Sequence, residues 1–199
     1  KEENILMRFR EINGSVHYHN VMLVDPRGTI RISLDPSVNT VAPDLLASLD
    51  VSLATGDAVM TDLHLLPGTT HPHMDVVAPL IISGDGGREP VGAVILSIDP
   101  DNYLYPLIQS WPLPSQSAET LLVRREGDRV LFLNDLRHQP HTALNLTIPL
   151  TETDVPAVMA VMGRTGAFEG RDYRGVEVIS VLEPIPSSPW FIVAKIDRW

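Results

Sequence analysis

The sequence says one thing twice. The run Val21-Met22-Leu23-Val24-Asp25-Pro26-Arg27-Gly28-Thr29-Ile30-Arg31-Ile32-Ser33-Leu34 is echoed by Thr120-Leu121-Leu122-Val123-Arg124-Arg125-Glu126-Gly127-Asp128-Arg129-Val130-Leu131-Phe132-Leu133. Gly28 answers to Gly127, 99 residues on, while Pro90 answers to Pro189 and Ile98-Asp99 to Ile196-Asp197. Each copy is a β-rich hairpin followed later by a second one. A repeat of roughly 100 residues means two similar lobes, each burying its own apolar face, and not one large enzyme fold.

A chain of 199 residues can form one domain or two small ones without covalent staples. A net charge of −10 argues against nucleic acid as a partner, and equally against an anionic membrane surface, because both would repel it. The absence of cysteine removes disulfides, thiolate metal sites and cysteine nucleophiles together. No segment approaches the ~20 apolar residues needed to span a bilayer. The chain starts without methionine inside a helical pattern and stops at Trp199 after an apolar run. It therefore reads as a soluble piece excised from a longer, membrane-anchored protein.

Residues 1–13 place Ile5, Leu6, Phe9 and Ile12 on one helical stripe, with Gly14 as the stop. Val21–Val24 and Thr29–Leu34 are strands joined by Asp25-Pro26-Arg27-Gly28, where proline pre-sets φ and glycine accepts a positive one. A helix follows at 44–53, then strands at 59–65, 75–82 and 91–98, with Gly84-Asp85-Gly86-Gly87 as a hairpin loop, and a helix at 101–109. Trp111-Pro112-Leu113-Pro114-Ser115 is the linker, since two prolines stop any regular element. Beyond it come strands at 120–124, 129–134 and 143–149, a helix at 155–162, a loop over 163–175, and closing strands at 176–182 and 190–196. The fold class is α+β. An N-terminal helix (1–17) precedes two tandem lobes (18–113 and 114–199), each a mainly antiparallel sheet flanked by helices and resembling a PAS-like unit.

The run Asp172-Tyr173-Arg174-Gly175-Val176, then Glu183-Pro184-Ile185-Pro186 and Ser188-Pro189-Trp190-Phe191-Ile192-Val193-Ala194-Lys195-Ile196-Asp197, resembles the close of the membrane-proximal lobe in double-Cache sensor domains. Val76-Val77-Ala78-Pro79-Leu80 with Gly92-Ala93-Val94-Ile95-Leu96 resembles the distal-lobe sheet, and Trp111-Pro112 through Ser117-Ala118-Glu119 the junction. The resemblance covers nearly the whole chain. It implies the periplasmic, ligand-sensing portion of an inner-membrane histidine kinase, diguanylate cyclase or chemoreceptor. A small molecule would bind the distal lobe, and a cytoplasmic kinase or cyclase would carry the output. It also implies a homodimer through the N-terminal helix, with Ile5 or Phe9 at the seam. The amino-acid-binding branch of that family carries an arginine-x-tryptophan-tyrosine cluster, then a tyrosine, then a strand aspartate that holds the amine. The cluster does not occur before His71, and Ser97 takes the place of the aspartate, which counts against α-amino acids.

His71, His73 and Asp75 form the most polar cluster. At i, i+2, i+4 they share one face of an extended strand, where they could ligate zinc or hydrogen-bond a polar ligand. The alternative is a loop with solvated histidines, favoured by Pro72. Arg31 could neutralise a carboxylate or simply sit on a wet strand face. Tyr103, like Tyr105, either closes a pocket or packs its helix on the sheet. Together Arg31, His71, His73, Asp75, Ser97 and Tyr103 are the expected ligand-binding residues. Gly163-Arg164-Thr165-Gly166-Ala167-Phe168-Glu169-Gly170 looks like a phosphate loop but runs helix to strand and lacks the Gly-Lys-Ser/Thr ending. Gly-x-Ser-x-Gly, His-Glu-x-x-His and Gly-x-Gly-x-x-Gly are all absent, so neither catalysis nor a cofactor is expected of this segment. Two rival readings remain: a sensor-shaped scaffold answering to a partner protein without a small ligand, and a metal-dependent hydrolase on His71, His73 and Asp75.

Overall fold

The repeat in the sequence is a repeat in strand order. The computed structural model describes residues 2–16, 18–65, 71–84, 87–111 and 114–198. Contacts divide the chain into two compact units, Lys1–Asn102 and Tyr103–Trp199. Asp85 and Gly86 of the hairpin loop, and Pro112 and Leu113 of the linker, lie outside the described residues.

The first unit runs α1 (Glu2–Val16), β1 (Asn20–Val24), β2 (Ile30–Ser33), α2 (Pro43–Thr55), β3 (Val59–Met60), β4 (His64–Leu65), β5 (Pro72–Gly84) and β6 (Gly87–Ile98), ending in a 3-10 turn at Pro100–Asn102. Its antiparallel sheet has the order β2-β1-β6-β5-β3, with β4 also paired to β5. The second unit runs α3 (Leu104–Gln109), β7 (Glu119–Glu126), β8 (Arg129–Phe132), β9 (Thr147–Pro149), α4 (Pro156–Val161), β10 (Gly166–Arg171), β11 (Glu177–Pro184) and β12 (Trp190–Asp197). Its order is β10-β11-β12-β7-β8-β9. In both units the closing hairpin returns to pair its last strand with the first strand of the opening hairpin.

Period-two alternation sorts the side chains. Met22, Val24, Val77, Ala93 and Ile95 face α2, where they bury Leu45 and Leu49. Val21 and Ile32 face the other way and cover Phe9, with Ile5 and Leu6 packed alongside. Phe9 is therefore spent inside its own unit and is not available as a dimer seam; the exposed apolar side chains of α1 are Met7 and Ile12. Gly14 does not stop α1, which continues to Val16. α2 opens on Pro43, whose missing N–H costs nothing in the first turn, and closes on Gly56 at φ 76. In the second unit Leu121, Val123, Phe132, Leu182 and Val193 pack under α4.

Two further sequence expectations change. The stretch expected as a loop over 163–175 contains β10, which pairs with β11 from Gly166↔Leu182 to Arg171↔Glu177. Phe168 packs on the core of this unit, so the glycine-rich run serves as an edge strand and offers no phosphate cradle. The strand expected over 143–149 shortens to Thr147–Pro149.

The second unit carries a buried charge network. The Lys195 ammonium is fully buried, 3.0 Å from Glu119 Oε2 and 2.8 Å from Asp172 Oδ2. Asp172 also pairs with Arg174 at 2.7 Å, and Arg174 continues to Asp197. Burial alone would raise the Asp172 carboxyl, but hydrogen bonds from Arg174 and Lys195 hold it below the usual carboxylate range. Replacing Lys195→Met removes the cation shared by two buried carboxylates and should cost roughly 3–5 kcal/mol in urea unfolding. A loss under about 1 kcal/mol would mean that the network is solvated.

Gly92 lets β6 approach β1, since a Cβ there would lie 2.3 Å from the Val24 carbonyl oxygen. Gly92→Ala should cost about 3 kcal/mol. Gly127→Ala, at φ 61 with open space around it, should cost only about 1–2 kcal/mol. Equal losses in the two variants would refute the close-approach account.

Candidate functional site

The face of the first sheet that packs on α2 is apolar at one end and polar at the other. The register decides which side chains meet there. β1 pairs Asn20↔Ser97 with β6, β5 pairs Asp75↔Ser97 with β6, and β4 pairs His64↔His73 with β5. Asn20, His73, Asp75 and Ser97 are all buried, so four polar side chains sit where a sheet core is ordinarily apolar.

Asp75 is held from every side. Its amide donates to Thr61 Oγ1 at 2.8 Å, and its carbonyl accepts the Thr61 N–H at 2.8 Å. Its carboxylate accepts the Ser97 hydroxyl on Oδ1 at 2.5 Å, and Oδ2 lies 3.3 Å from His64 Nε2. Asn20 Oδ1 accepts the amides of Val21 and Asp35, fixing the chain that leaves β2.

His73, 3% exposed, lies against His19 with ring centroids 4.6 Å apart and the ring planes tilted by 50°. Its Nδ1 is buried without a hydrogen-bond partner among the described residues. Burial, then the nearby His19, lowers its pKa to about 4 against the opposing pull of Asp99. Near neutral pH the ring is thus uncharged, with one nitrogen able to donate and the other to accept.

The structure brings together three of the six expected residues, His73, Asp75 and Ser97. His71 lies just before β5, exposed, 3.4 Å from Asp101. Arg31 is in the opening hairpin, where its guanidinium is committed to Asp25 Oδ2 at 2.7 Å. Tyr103 is 53% exposed and belongs to the second unit, where Tyr105 is the one that packs, donating its hydroxyl to the Leu133 carbonyl at 2.6 Å. The solvated-loop alternative fails at His73 and Asp75, because β5 begins at Pro72 and both are buried.

Among the described residues, the group whose possible metal-ligand atoms all lie within 4.8 Å is His71, Asp99 and Asp101. It is not His71, His73 and Asp75, since His73 faces His19 and Asp75 is held by Ser97 and His64. The metal-hydrolase constellation is therefore not assembled. His19, Asn20 and His64 escape sequence reading because only long-range strand pairing brings them to Asp75; seven histidines in the chain were the one hint.

No protein-family model matches the sequence, and no curated protein matches it. Solved structures do. The ligand-binding domain of the Pseudomonas aeruginosa PAO1 amino acid chemoreceptor PctC, in complex with GABA, is 16% identical with a TM-score of 0.63 over 99% of this chain and 82% of that one. The extracellular domain assigned to the histidine kinase mmHK1S-Z3 is 16% identical with a TM-score of 0.63, over 100% and 80%. An extracellular ligand binding receptor from Desulfohalobium retbaense DSM5692 is 16% identical with a TM-score of 0.61; there the match covers 94% of this chain and only 32% of the other. At these identities the likeness is one of fold. The chain shares the α+β fold of these extracellular ligand-binding domains, and no helix among the described residues is long and apolar enough to cross a membrane.

The His73 shift makes stability pH-dependent. The unfolded ring titrates near 6.5 and the folded ring near 4, so the unfolded state binds more protons between those values. Stability is full above pH 6.5 and falls as pH drops toward 4. The groups facing this ring are His19, His64, His71 and Asp99. Urea midpoints of wild type and His73→Gln, compared from pH 4 to 7, should show the wild type losing roughly 2–3 kcal/mol more. Parallel curves would show that the ring is freely solvated.

Proposed function

We propose that this chain is the extracytoplasmic ligand-sensing domain of a membrane-bound signal-transduction receptor. In this reading its small molecule binds the polar end of the first-unit sheet, at His73, Asp75 and Ser97. The observation that carries the reading is the buried polar floor beside an apolar, α2-packed core. A buried His73 Nδ1 without a partner is costly unless a ligand completes it. Asn20, Asp75 and Ser97 are hydrogen-bonded within the fold, so the uncompensated cost falls on His73.

The ligand class follows from the carboxylate. The resemblance to double-Cache sensors puts an amine-holding aspartate at the position of Ser97. Here the carboxylate stands directly across the ladder, on Asp75, with Ser97 donating to it. We therefore assign an ammonium-bearing small molecule to this site. GABA in complex with PctC, and L-Gln with PctB, are ligands of that kind in proteins of the same fold. The missing arginine-x-tryptophan-tyrosine cluster leaves no equivalent clamp for an α-carboxylate, so an amine fits better than an α-amino acid. Arg31, committed to Asp25 on an exposed hairpin, lies outside this assignment. His71 and Tyr103, both exposed, are not part of the buried group to which the ligand is assigned.

Signalling requires the ligand to prefer one arrangement of the domain over another, because equal affinity shifts nothing. The elements that bear on the polar end, β1 with α1 behind it and the 3-10 turn after β6, are where such a preference would be expressed. A kinase or cyclase output and a dimer through α1 complete the proposal.

A thermal-shift screen of amines, amino acids, carboxylates and sugars tests it. A specific ligand at 100 times its dissociation constant stabilises by ~2.7 kcal/mol, a midpoint shift of several degrees. An amine should give the shift, Asp75→Asn should abolish it while keeping the fold, and Arg31→Ala should leave it intact. A flat screen across all classes would favour a partner protein as the stimulus, and a hit that survives Asp75→Asn would move the site.

A further inference from the structure

The second unit contains a cavity of about 280 Å³, lined chiefly by Gln109, Trp111, Glu119, Thr120, Asp135 and Arg137. That is slightly below the range of pockets for drug-sized molecules, and suits a smaller one. Its wall carries both signs of charge. Glu119, 4% exposed, receives the Lys195 ammonium, the Tyr173 hydroxyl at 3.0 Å and the Arg137 backbone N–H. The Tyr173 hydroxyl also lies 3.3 Å from Glu119 Oε1, so the roughly four accepting positions of the carboxylate are all engaged and a ligand cation has to share one. Asp135 is exposed but immobilised, its Oδ1 accepting the amides of Thr142 and Ala143. Arg137 donates from Nη1 to the Ser115 carbonyl at 2.8 Å, which orients its guanidinium. Trp111 supplies an apolar wall, and its indole Nε1 is buried with no acceptor among the described residues. A buried donor without an acceptor is unfavourable as it stands, and becomes favourable when a ligand oxygen arrives.

We propose that this cavity is a second small-molecule site, separate from the first-unit site, and that it takes a small zwitterion. The carboxylate of the ligand meets Arg137 and the Trp111 N–H, and its ammonium meets Glu119 and Asp135. A plain anion would face two carboxylates, and a plain cation would leave the guanidinium and indole donor unanswered. Occupancy has a consequence built into the fold. Glu119 is also the partner of Lys195 on β12, and from Lys195 the chain Asp172–Arg174–Asp197 ends at the last residue of that strand. An ammonium placed on Glu119 competes with Lys195, so binding is felt along the strand that closes the unit.

The test is a nitrogen–proton correlation spectrum of the full chain titrated with glycine, L-glutamine, acetate and methylammonium in turn. Three tryptophans give three indole signals, and the Trp111 signal is the one missing in Trp111→Phe. Glycine or glutamine should move the Trp111 signal saturably, acetate and methylammonium at least tenfold more weakly. Arg137→Ala should weaken the response about tenfold. His73→Gln should leave it unchanged, so failure of the first-unit site and failure of this one are read separately. The proposal is overturned if neither zwitterion moves the signal by about 10 mM, if acetate or methylammonium alone does as well, or if His73→Gln abolishes the shift.

Discussion

Each unit depends on its closing hairpin docking against the first strand of its opening hairpin. β6 pairs with β1 from Asn20↔Ser97 to Val24↔Ala93, and β12 pairs with β7 from Trp190↔Arg124 to Lys195↔Glu119. These ladders set the side-chain faces of everything else. A slip of one residue would turn Asn20 away from Ser97 and carry Lys195 out of reach of Glu119, because side chains alternate with a period of two. The candidate site and the buried charge network are therefore products of register. The two units put the same topology to different use: a polar floor of His73, Asp75 and Ser97 in one, a chain of ion pairs in the other.

What the sequence made legible was whatever is encoded locally or by repetition. The paired hairpins, the Pro26-to-Gly28 turn and the helix ending at Gly56 depend on neighbours in the chain, and the repeat supplied the tandem architecture; the contacts divide the chain at Asn102, before the proline-rich stretch expected as the linker. The resemblance in the closing run Asp172 to Asp197 pointed to the sensor fold that the solved structures share. His73 and Asp75 fall together because an i, i+2 spacing places them on one strand face, and the β5–β6 ladder sets Ser97 beside Asp75.

The rest was written in contacts between distant segments. His64 reaches Asp75 only through a two-residue strand, too short to announce itself by pattern. Arg31 has no local mark to show that Asp25, six residues earlier, takes its charge. β10 hid behind glycines that suggest a loop, and only its pairing with β11 makes Gly166 to Arg171 a strand. Phe9 sits on the apolar stripe of α1 that the sequence displays, but the stripe does not say whether a second copy or the chain's own sheet will cover it. Lys195 gives no warning of burial at all, since a lysine in a strand is ordinarily on the wet face.

The strand order has a consequence for how the chain reaches this structure. β5 and β6 are adjacent in sequence and can zip within microseconds, whereas β1 must wait for a loop closure that spans the whole crossover through α2. Until it does, the edge of β6 that will receive β1 is open, and an open edge accepts any strand of suitable pattern. The second copy of the repeat presents β7, an apolar strand with the same place in its own order. During folding, then, the most dangerous competitor for each closing hairpin is encoded in the same chain. What separates right from wrong pairing is kinetic: each lobe has to complete its own ladder before the other lobe's first strand arrives.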